Sequence, residues 1–519
     1  MTTRRLILSI ALAVIAACAF GGGNVKKWYS DSIPAVDASN LRVDSMEWHI
    51  GAKTVISSGK FAPFWMHSNQ WDGVSSRPYS GMIEAGIRRT AMPDPEDYTF
   101  RRGQRIFDYS FGVNLIGQLS DKSRFVPQEY YASCRLWLFD LTIGAKREAF
   151  TSEASGTDGY LGMGGLLWSA NARPIPRITF GISQYRSFPY TKGYLQIKAA
   201  MTHGWFIDNN YVNRAMLHHK YVGVRVGGNW HIAVSAEVHH VAQWGGSLPE
   251  YGDLGNSWSD FKNIFRGKSG GVPSMEQINA QGNHIISQQL ALDIQGTGWK
   301  IHCYYQQMNE DNPVHLFRFY KTMNRYDGLV GMSMNQSVWP YISAVSLEAL
   351  NTTDQSGPVH DIDGIVFGGA DNYFQNGVYR SGWSFYSRTV GTPMITSPLY
   401  NGDDTDEWHR HQTTNNRVFA LHGAIAGDIK GVGYVIKVTH ARNFDPQGNR
   451  LKSRNTALLL QAEKTVAFRQ ARCNCLLPIT FGAAFSADIG DQFGNQYGVM
   501  LSATYKGTIK VKGRKPKTL

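Results

Sequence analysis

The pattern that most constrains this chain is strict residue alternation carried in paired short runs. Tyr221 to Val226 and Trp230 to Val238 flank a Gly227-Gly228-Asn229 turn, and apolar and polar residues alternate on both sides of it. A period of two is the period of a β-strand, and a short Gly/Asn link between two such runs predicts a hairpin. Val222, Val224, Val226, Ile232, Val234 and Ala236 fall on one face, with Gly223, Arg225, Ser235, Glu237 and His239 on the other. A second hairpin repeats the pattern. Leu290, Leu292 and Ile294 precede a Gln295-Gly296-Thr297-Gly298 turn, and Trp299, Ile301, Cys303 and Tyr305 follow it; Gln289, Asp293, Lys300, His302 and Gln306 take the opposite face.

A soluble β-sandwich also alternates, so the links between strands matter more than any one hairpin. They are short and long in turn. With the short turns assigned to the periplasm, the segment from Val241 to Ile285 is extracellular, and strands begin near residues 46, 80, 104, 127, 139, 176, 194, 221, 230, 286, 299, 328, 340, 416, 432, 456, 478 and 496. The expected fold is all-β: an antiparallel transmembrane β-barrel of about 18 strands with long extracellular loops and both termini periplasmic.

Composition agrees with a barrel. Mean hydropathy is −0.30 although aromatics reach 12% and glycines number 54. Lipid-facing and lumen-facing residues average out in such a wall, while girdle aromatics and turn glycines accumulate. After the N-terminal segment nothing approaches the roughly 18 consecutive apolar residues of a spanning helix. That first segment has Arg4 and Arg5, an apolar stretch from Leu6 to Ala16, and Ala17-Cys18-Ala19. It reads as a signal peptide over residues 1–19; in the other reading Cys18 is a lipid-modified anchor. Residues 20–44 form a short periplasmic lead, 45–505 the outer-membrane barrel, and 506–519 a basic periplasmic tail.

The net charge of +12 brings no nucleic-acid signature with it. Lys506, Lys510, Lys512, Arg514, Lys515 and Lys517 crowd one end, whereas Asp361, Asp363, Asp371, Asp403, Asp404, Asp406 and Glu407 share one long link. This is the asymmetry of two sides of a membrane. Cys134 and Cys303 lie in strand-like runs, and Cys473-Asn474-Cys475 sits near a turn; neither set has zinc spacing.

Several phrases resemble the Wzi-type capsule assembly family. They are Ser57-Ser58-Gly59-Lys60 with Pro63-Phe64-Trp65, the stretch Gly165-Leu166-Leu167-Trp168-Ser169-Ala170-Asn171-Ala172-Arg173-Pro174, and Ala242-Gln243-Trp244-Gly245-Gly246. Asn351-Thr352-Thr353-Asp354-Gln355-Ser356-Gly357-Pro358, Asp371-Asn372-Tyr373-Phe374, Tyr379-Arg380-Ser381-Gly382-Trp383 and Gly391-Thr392-Pro393 continue it. The resemblance implies an 18-stranded barrel acting as a lectin that holds capsular polysaccharide without chemistry on it. Two departures stand out: residues 21–44 are too short for the family's periplasmic helical bundle, and Ala170 stands where Gly is expected.

Candidate chemistry is sparse. Gly162-Met163-Gly164-Gly165 lacks the Gly-Lys-Ser/Thr of a phosphate loop and reads as a plain loop. Arg173, between Asn171 and Pro174, either binds an acidic sugar or pairs with a lumen carboxylate, the commoner fate of such a charge. Asp403, Asp404, Asp406 and Glu407, followed by Trp408, His409, Arg410 and His411, have no EF-hand spacing and read as a solvated loop rather than a calcium site. His360-Asp361-Ile362-Asp363 is weaker still as a metal site. With no Gly-x-Ser-x-Gly elbow and no His-Glu-x-x-His, no catalytic residue, metal or cofactor is assigned, and the chain is expected not to be an enzyme. A barrel hydrolase acting on lipid or glycan stands as an alternative.

Aromatic residues interleaved with polar ones suit sugar rings, which stack on aromatic faces and hydrogen-bond through their hydroxyls. Such interleaving occurs at Trp205 to Tyr211, Trp244 to Trp258 and Asp371 to Trp383. The glycan-binding candidates are Trp244, Tyr251, Asp371, Tyr373, Arg380 and Trp383. The competing reading is a plug of loop aromatics in the barrel mouth, or a membrane girdle. The expected partners are outer-membrane lipid and surface polysaccharide; in the rival porin or transporter, Arg225, Glu237, His239, Lys300 and His302 line a route.

Overall fold

The computed structural model describes residues 45–90, 107–148 and most of 150–510; the main exceptions are 151–160, 209–210, 311–323, 356–359, 368–371, 403–404, 446–449 and 471–474. The signal-peptide and lead readings, Lys512 to Lys517, Asp371, Asp403, Asp404, Cys473 and Asp363 lie outside the described residues.

The wall consists of β1 (Ser45–Ser57), β2 (Tyr79–Arg89), β3 (Phe107–Leu119), β4 (Arg124–Leu136), β5 (Phe139–Ala145) and β6 (Arg177–Ser187). It continues through β7 (Leu195–Trp205), β8 (Met216–Val226), β9 (Ile232–Trp244), β10 (Asn283–Gly296), β11 (Trp299–Glu310) and β12 (Gly328–Gln336). The last six are β13 (Ala344–Asn351), β14 (Val418–Ile429), β15 (Val432–Phe444), β16 (Leu451–Gln470), β17 (Cys475–Gly490) and β18 (Gln496–Lys510). Each strand pairs with the next, and β18 returns to β1, so one 18-stranded antiparallel sheet closes on itself. Closure leaves no unpaired edge, the condition for strands to cross a membrane.

The closing seam runs from Ser57 opposite Gly498 to Ser45 opposite Lys510. The last strand therefore extends past residue 505: Lys506 to Lys510 pair with His49 to Ser45. The expected tail begins inside the sheet because β1 supplies ladder partners that far.

Alternation sorts the two faces as the sequence predicts. Val222, Val224, Val226, Ile232 and Val234 are exposed on the outer wall, while Ser235, Glu237 and His239 are buried toward the lumen. A one-residue slip would reverse every one of these side chains, so the apolar-out requirement sets the register. The links of described residues at one end are short, among them Trp137-Leu138, Thr297-Gly298 and Lys430-Gly431. Around that end Trp137, Tyr194, Trp230, Trp299, Trp339 and Tyr341 are exposed, an aromatic girdle of the kind found at a membrane interface. The other end carries links 58–78, 146–176, 245–282 and 352–417, whose described residues form the mouth.

Candidate functional site

The mouth links fold inward and build a second core inside the wall. Phe64, Trp65, Met163, Leu166, Leu167, Trp168, Phe374, Trp383 and Phe385 are buried in one apolar cluster together with lumen-facing wall residues such as Leu217 and Val241. Trp168 meets the edge of Trp383 at 5.2 Å, and Phe206 meets Trp383 at 6.2 Å. Gly382, at φ +61°, lies so close to the Phe374 carbonyl that a Cβ would collide with it, which lets Trp383 turn into this core.

Polar groups of the wall receive the plug from many sides. Asp488 on β17 accepts from the Phe64 backbone at 2.8 Å, and Thr439 on β15 accepts from the Trp65 indole at 2.9 Å. His422 on β14 bonds the Leu161 carbonyl at 2.7 Å, and Glu348 on β13 accepts from the Met163 backbone. Gln306 on β11 accepts from Leu166 at 2.7 Å, and Gln243 on β9 donates to the Gly382 carbonyl at 3.0 Å. On the opposite arc Gln128 of β4 donates to the Gln70 and Trp71 carbonyls. These buried backbone groups leave the regular ladder and are satisfied by lumen side chains, so the plug is held in one position rather than merely filling space.

One carboxylate ties three links together. Asp72 Oδ1 accepts from Arg124 at 2.6 Å and from Arg388 at 2.8 Å, and its Oδ2 accepts from Arg173 at 2.6 and 3.0 Å. Burial would raise the Asp72 carboxyl, but Arg388, Arg124 and Arg173 outweigh it and hold the group below the usual carboxylate range. Arg388 also faces Nδ1 of His67, whose Nε2 lies 3.0 Å from the Tyr400 hydroxyl. Burial, then the Arg388 charge, keeps His67 well below the ordinary imidazole value and therefore neutral. Nothing in the local sequence of Asp72 announces this role; its partners come from distant links. Arg173 takes the structural one of its two expected fates.

Five of the six candidates separate into three groups. Tyr373 and Trp383 are buried in the plug, where the Tyr373 hydroxyl donates to Asp327 at 3.0 Å and the Trp383 indole donates to the Leu167 carbonyl at 2.8 Å. Neither offers a ring face to a glycan in this conformation, and the plug reading describes both. Trp244 is 4% exposed for another reason: its parity puts it on the outer wall, under α1 (Trp258–Arg266), against Ile264 and Phe261. Tyr251 is exposed at the rim, and Arg380 is half-buried there; Asp371 is outside the described residues.

Arg380 belongs to a rim cluster that sequence reasoning saw only in part. Its guanidinium lies 4.5 Å from the centre of the Tyr211 ring, donates to the Tyr211 hydroxyl and pairs with Glu250 at 3.3 Å. Tyr211 also donates to Glu250 at 3.0 Å, and His411 lies 6.2 Å from its ring. An aromatic face framed by a cation, a carboxylate and an imidazole has the elements that bind a polar sugar. The acidic link contributes differently: Asp406 caps a short helix at Glu407–Arg410 and accepts from His409.

Deeper in the lumen, Lys198 pairs with Glu237 at 2.6 Å, and Asp293 is ringed by Arg225, Lys300 and His302. Of the residues expected to line a route, Glu237 thus meets Lys198 and, at 3.1 Å, His239, while Arg225, Lys300 and His302 converge on Asp293.

No protein-family model and no curated protein sequence matches this chain. Among solved structures it is similar to Wzi of Escherichia coli, an outer-membrane protein involved in group 1 capsule assembly and described as a carbohydrate-binding β-barrel. That likeness has a TM-score of 0.51 at 12% identity, over 91% of this chain and 86% of Wzi. The outer-membrane protein OprD of Pseudomonas aeruginosa aligns at a TM-score of 0.42 and 9% identity, over 90% and 95% of the two chains. OpdQ of the same organism gives 0.43 and 8%, over 90% and 100%. What the likeness to Wzi shows, at that identity, is the barrel fold.

Proposed function

We propose that this chain is an outer-membrane barrel whose plugged mouth holds surface polysaccharide at the cell surface, acting as a glycan-binding protein without chemistry on the glycan. The observation that carries the reading is the plug. An apolar core bonded to wall strands on opposite arcs fills the mouth, and on this reading it leaves the outer rim as the surface where a ligand can act. On that rim Tyr211, Arg380, Glu250 and Tyr251 supply an aromatic face and charged hydrogen-bonding partners. The barrel shared with Wzi, itself described as carbohydrate binding, is in keeping with this assignment.

The test is to replace Tyr211 and Arg380 by Ala, separately, and compare cell-bound with shed polysaccharide at equal barrel abundance. Loss of stacking or of a charged contact should weaken retention by about 1–3 kcal/mol, as at other aromatic hot spots. Wild-type retention in both variants would remove this rim from the proposal.

A second reading, a gated transporter, draws on the charged lumen below the plug, where Arg225 and Lys300 face Asp293. It requires the plug to move. Conductance across planar bilayers, with and without candidate solutes, separates it from the first.

A further inference from the structure

The helix α1 lies on the outside of the barrel, not over its mouth. Ser257 caps its start in a reciprocal pair with Asp260, and Gly267, at φ +64°, ends it. Ile264 is buried against Ala242 and Trp244 of the outer wall, and Phe261 and Phe265 each lie 5.5 Å from His218. The helix thus descends from the rim to the level at which the bare apolar band of Val222 and Val224 begins.

Where it ends, the helix and the wall form an open pocket of about 370 Å³. Val222, Val238 and Ile286 form its apolar side, and Lys220, Phe265 and Arg266 form its upper side. Val222 is 51% exposed on a wall face that lipid must cover. Lys220 is fixed over the Phe265 ring at 3.8 Å and donates to the Phe265 carbonyl, which uses one of its three N–H groups. Lys262 and Lys268 add charge on the same helix and just beyond it. Among the described residues no carboxylate forms an ion pair with Lys220, Lys262, Arg266 or Lys268, and the nearby Asp260 is engaged by Ser257 and Gln281. On the outward side, Trp258 is 68% exposed, an aromatic suited to the interface between headgroups and water.

We propose that this pocket is a binding site for a phosphate-bearing membrane lipid, with an acyl chain against Val222, Val238 and Ile286 and the phosphate at Lys220 and Arg266. Two features select this occupant. The apolar side is continuous with the lipid-facing band, so an acyl chain enters it without leaving hydrocarbon. The basic side sits at headgroup depth with its positive charge uncompensated by carboxylates, which complements a phosphate and not a neutral headgroup. The site is separate from the rim cluster and does not depend on the glycan reading.

Native mass spectrometry of the detergent-purified full chain tests it, with lipid A as the probe and dephosphorylated lipid A and inorganic phosphate as comparisons. Saturable lipid A binding is expected, weakened roughly tenfold or more in a Lys220→Gln/Arg266→Gln double variant, since each cation near a membrane surface contributes about 1 kcal/mol. Val222→Trp, which fills the apolar side with a residue lipid tolerates, should weaken it as well. Lys122→Gln, in a different link, should leave it unchanged. Equal binding of the dephosphorylated lipid would overturn the phosphate assignment, and binding of inorganic phosphate with the same affinity would overturn the acyl-chain assignment. Undiminished lipid A binding in both pocket variants, with each still running as a folded barrel, would overturn the site.

Discussion

Arg173 places two guanidinium nitrogens on a single oxygen of Asp72, at 2.6 and 3.0 Å, although the two residues are 101 positions apart and belong to different mouth links. The same carboxylate holds Arg388 from a third link and Arg124 from the wall. Removing Asp72 leaves buried guanidinium groups without their counter-charge, a loss of about 3–5 kcal/mol. Asp72→Ala should therefore raise single-channel conductance in planar bilayers and sensitivity to large antibiotics, while heat-modifiable gel mobility still reports a folded barrel. Wild-type conductance would show that the plug is held elsewhere.

Trp383→Ala probes the plug through packing instead of charge. The indole is fully buried and donates to the Leu167 carbonyl, so truncation opens a cavity and strands an acceptor, at about 3–5 kcal/mol. Raised permeability is the expected outcome, measured by uptake of a solute too large for the closed mouth. Tyr251→Ala, at the exposed rim, should leave permeability unchanged.

The two faces of one hairpin should respond oppositely. Val224→Arg puts a charge on the lipid side and should impair insertion by about 2–4 kcal/mol if it sits near the bilayer midplane. Arg225→Ala should still insert, because Lys300 and His302 remain on Asp293. Folding yield into lipid vesicles measures both, and equal yields would contradict the assignment of faces.

Glu276 supplies a pH dependence. Burial pushes its carboxyl up to about 7, so the folded link binds a proton that the unfolded link releases near the ordinary glutamate value. The resulting stabilisation is complete below about pH 4.3, the ordinary glutamate pKa, and is lost as pH rises through 7. Hydrogen exchange in residues 268–282, corrected for intrinsic rates, should speed up from about pH 4.5 to about 7 and level off above it. Glu276→Gln, which cannot ionise, should flatten that profile; an unchanged profile in the variant would assign the effect to another group.

Topology can be read on intact cells. A protease site inserted at Gly252, whose Cβ position is open space, or at Gly402 should be cut, whereas one beside Gly227 and Gly228 should stay protected. The reverse pattern would turn the barrel over.

Alternation determined the wall from the sequence alone. Because side chains on a strand point in and out with period two, Val222, Val224 and Val234 could be assigned outward and Glu237 and His239 inward without any partner strand in view. The number of strands followed from link lengths, since antiparallel closure needs a link after every crossing. Inside the links no such period exists. Trp383, Tyr373 and Trp244 look in sequence like Tyr211 and Tyr251, yet two fill a core, one is roofed by a helix, and two reach the rim. Which fate each takes is set by contacts such as Trp383 to Leu167, 216 residues apart. In the sequence the stretch Trp244 to Trp258 shows only aromatic and polar interleaving; the helix from Trp258 to Arg266, and the wall it packs on, came from the tertiary structure. Asp72 gives the same lesson for charge: its neighbours along the chain carry no sign of three arginines, which only the closed barrel brings to it, because the low-dielectric interior compels buried charges to find partners wherever the fold offers them.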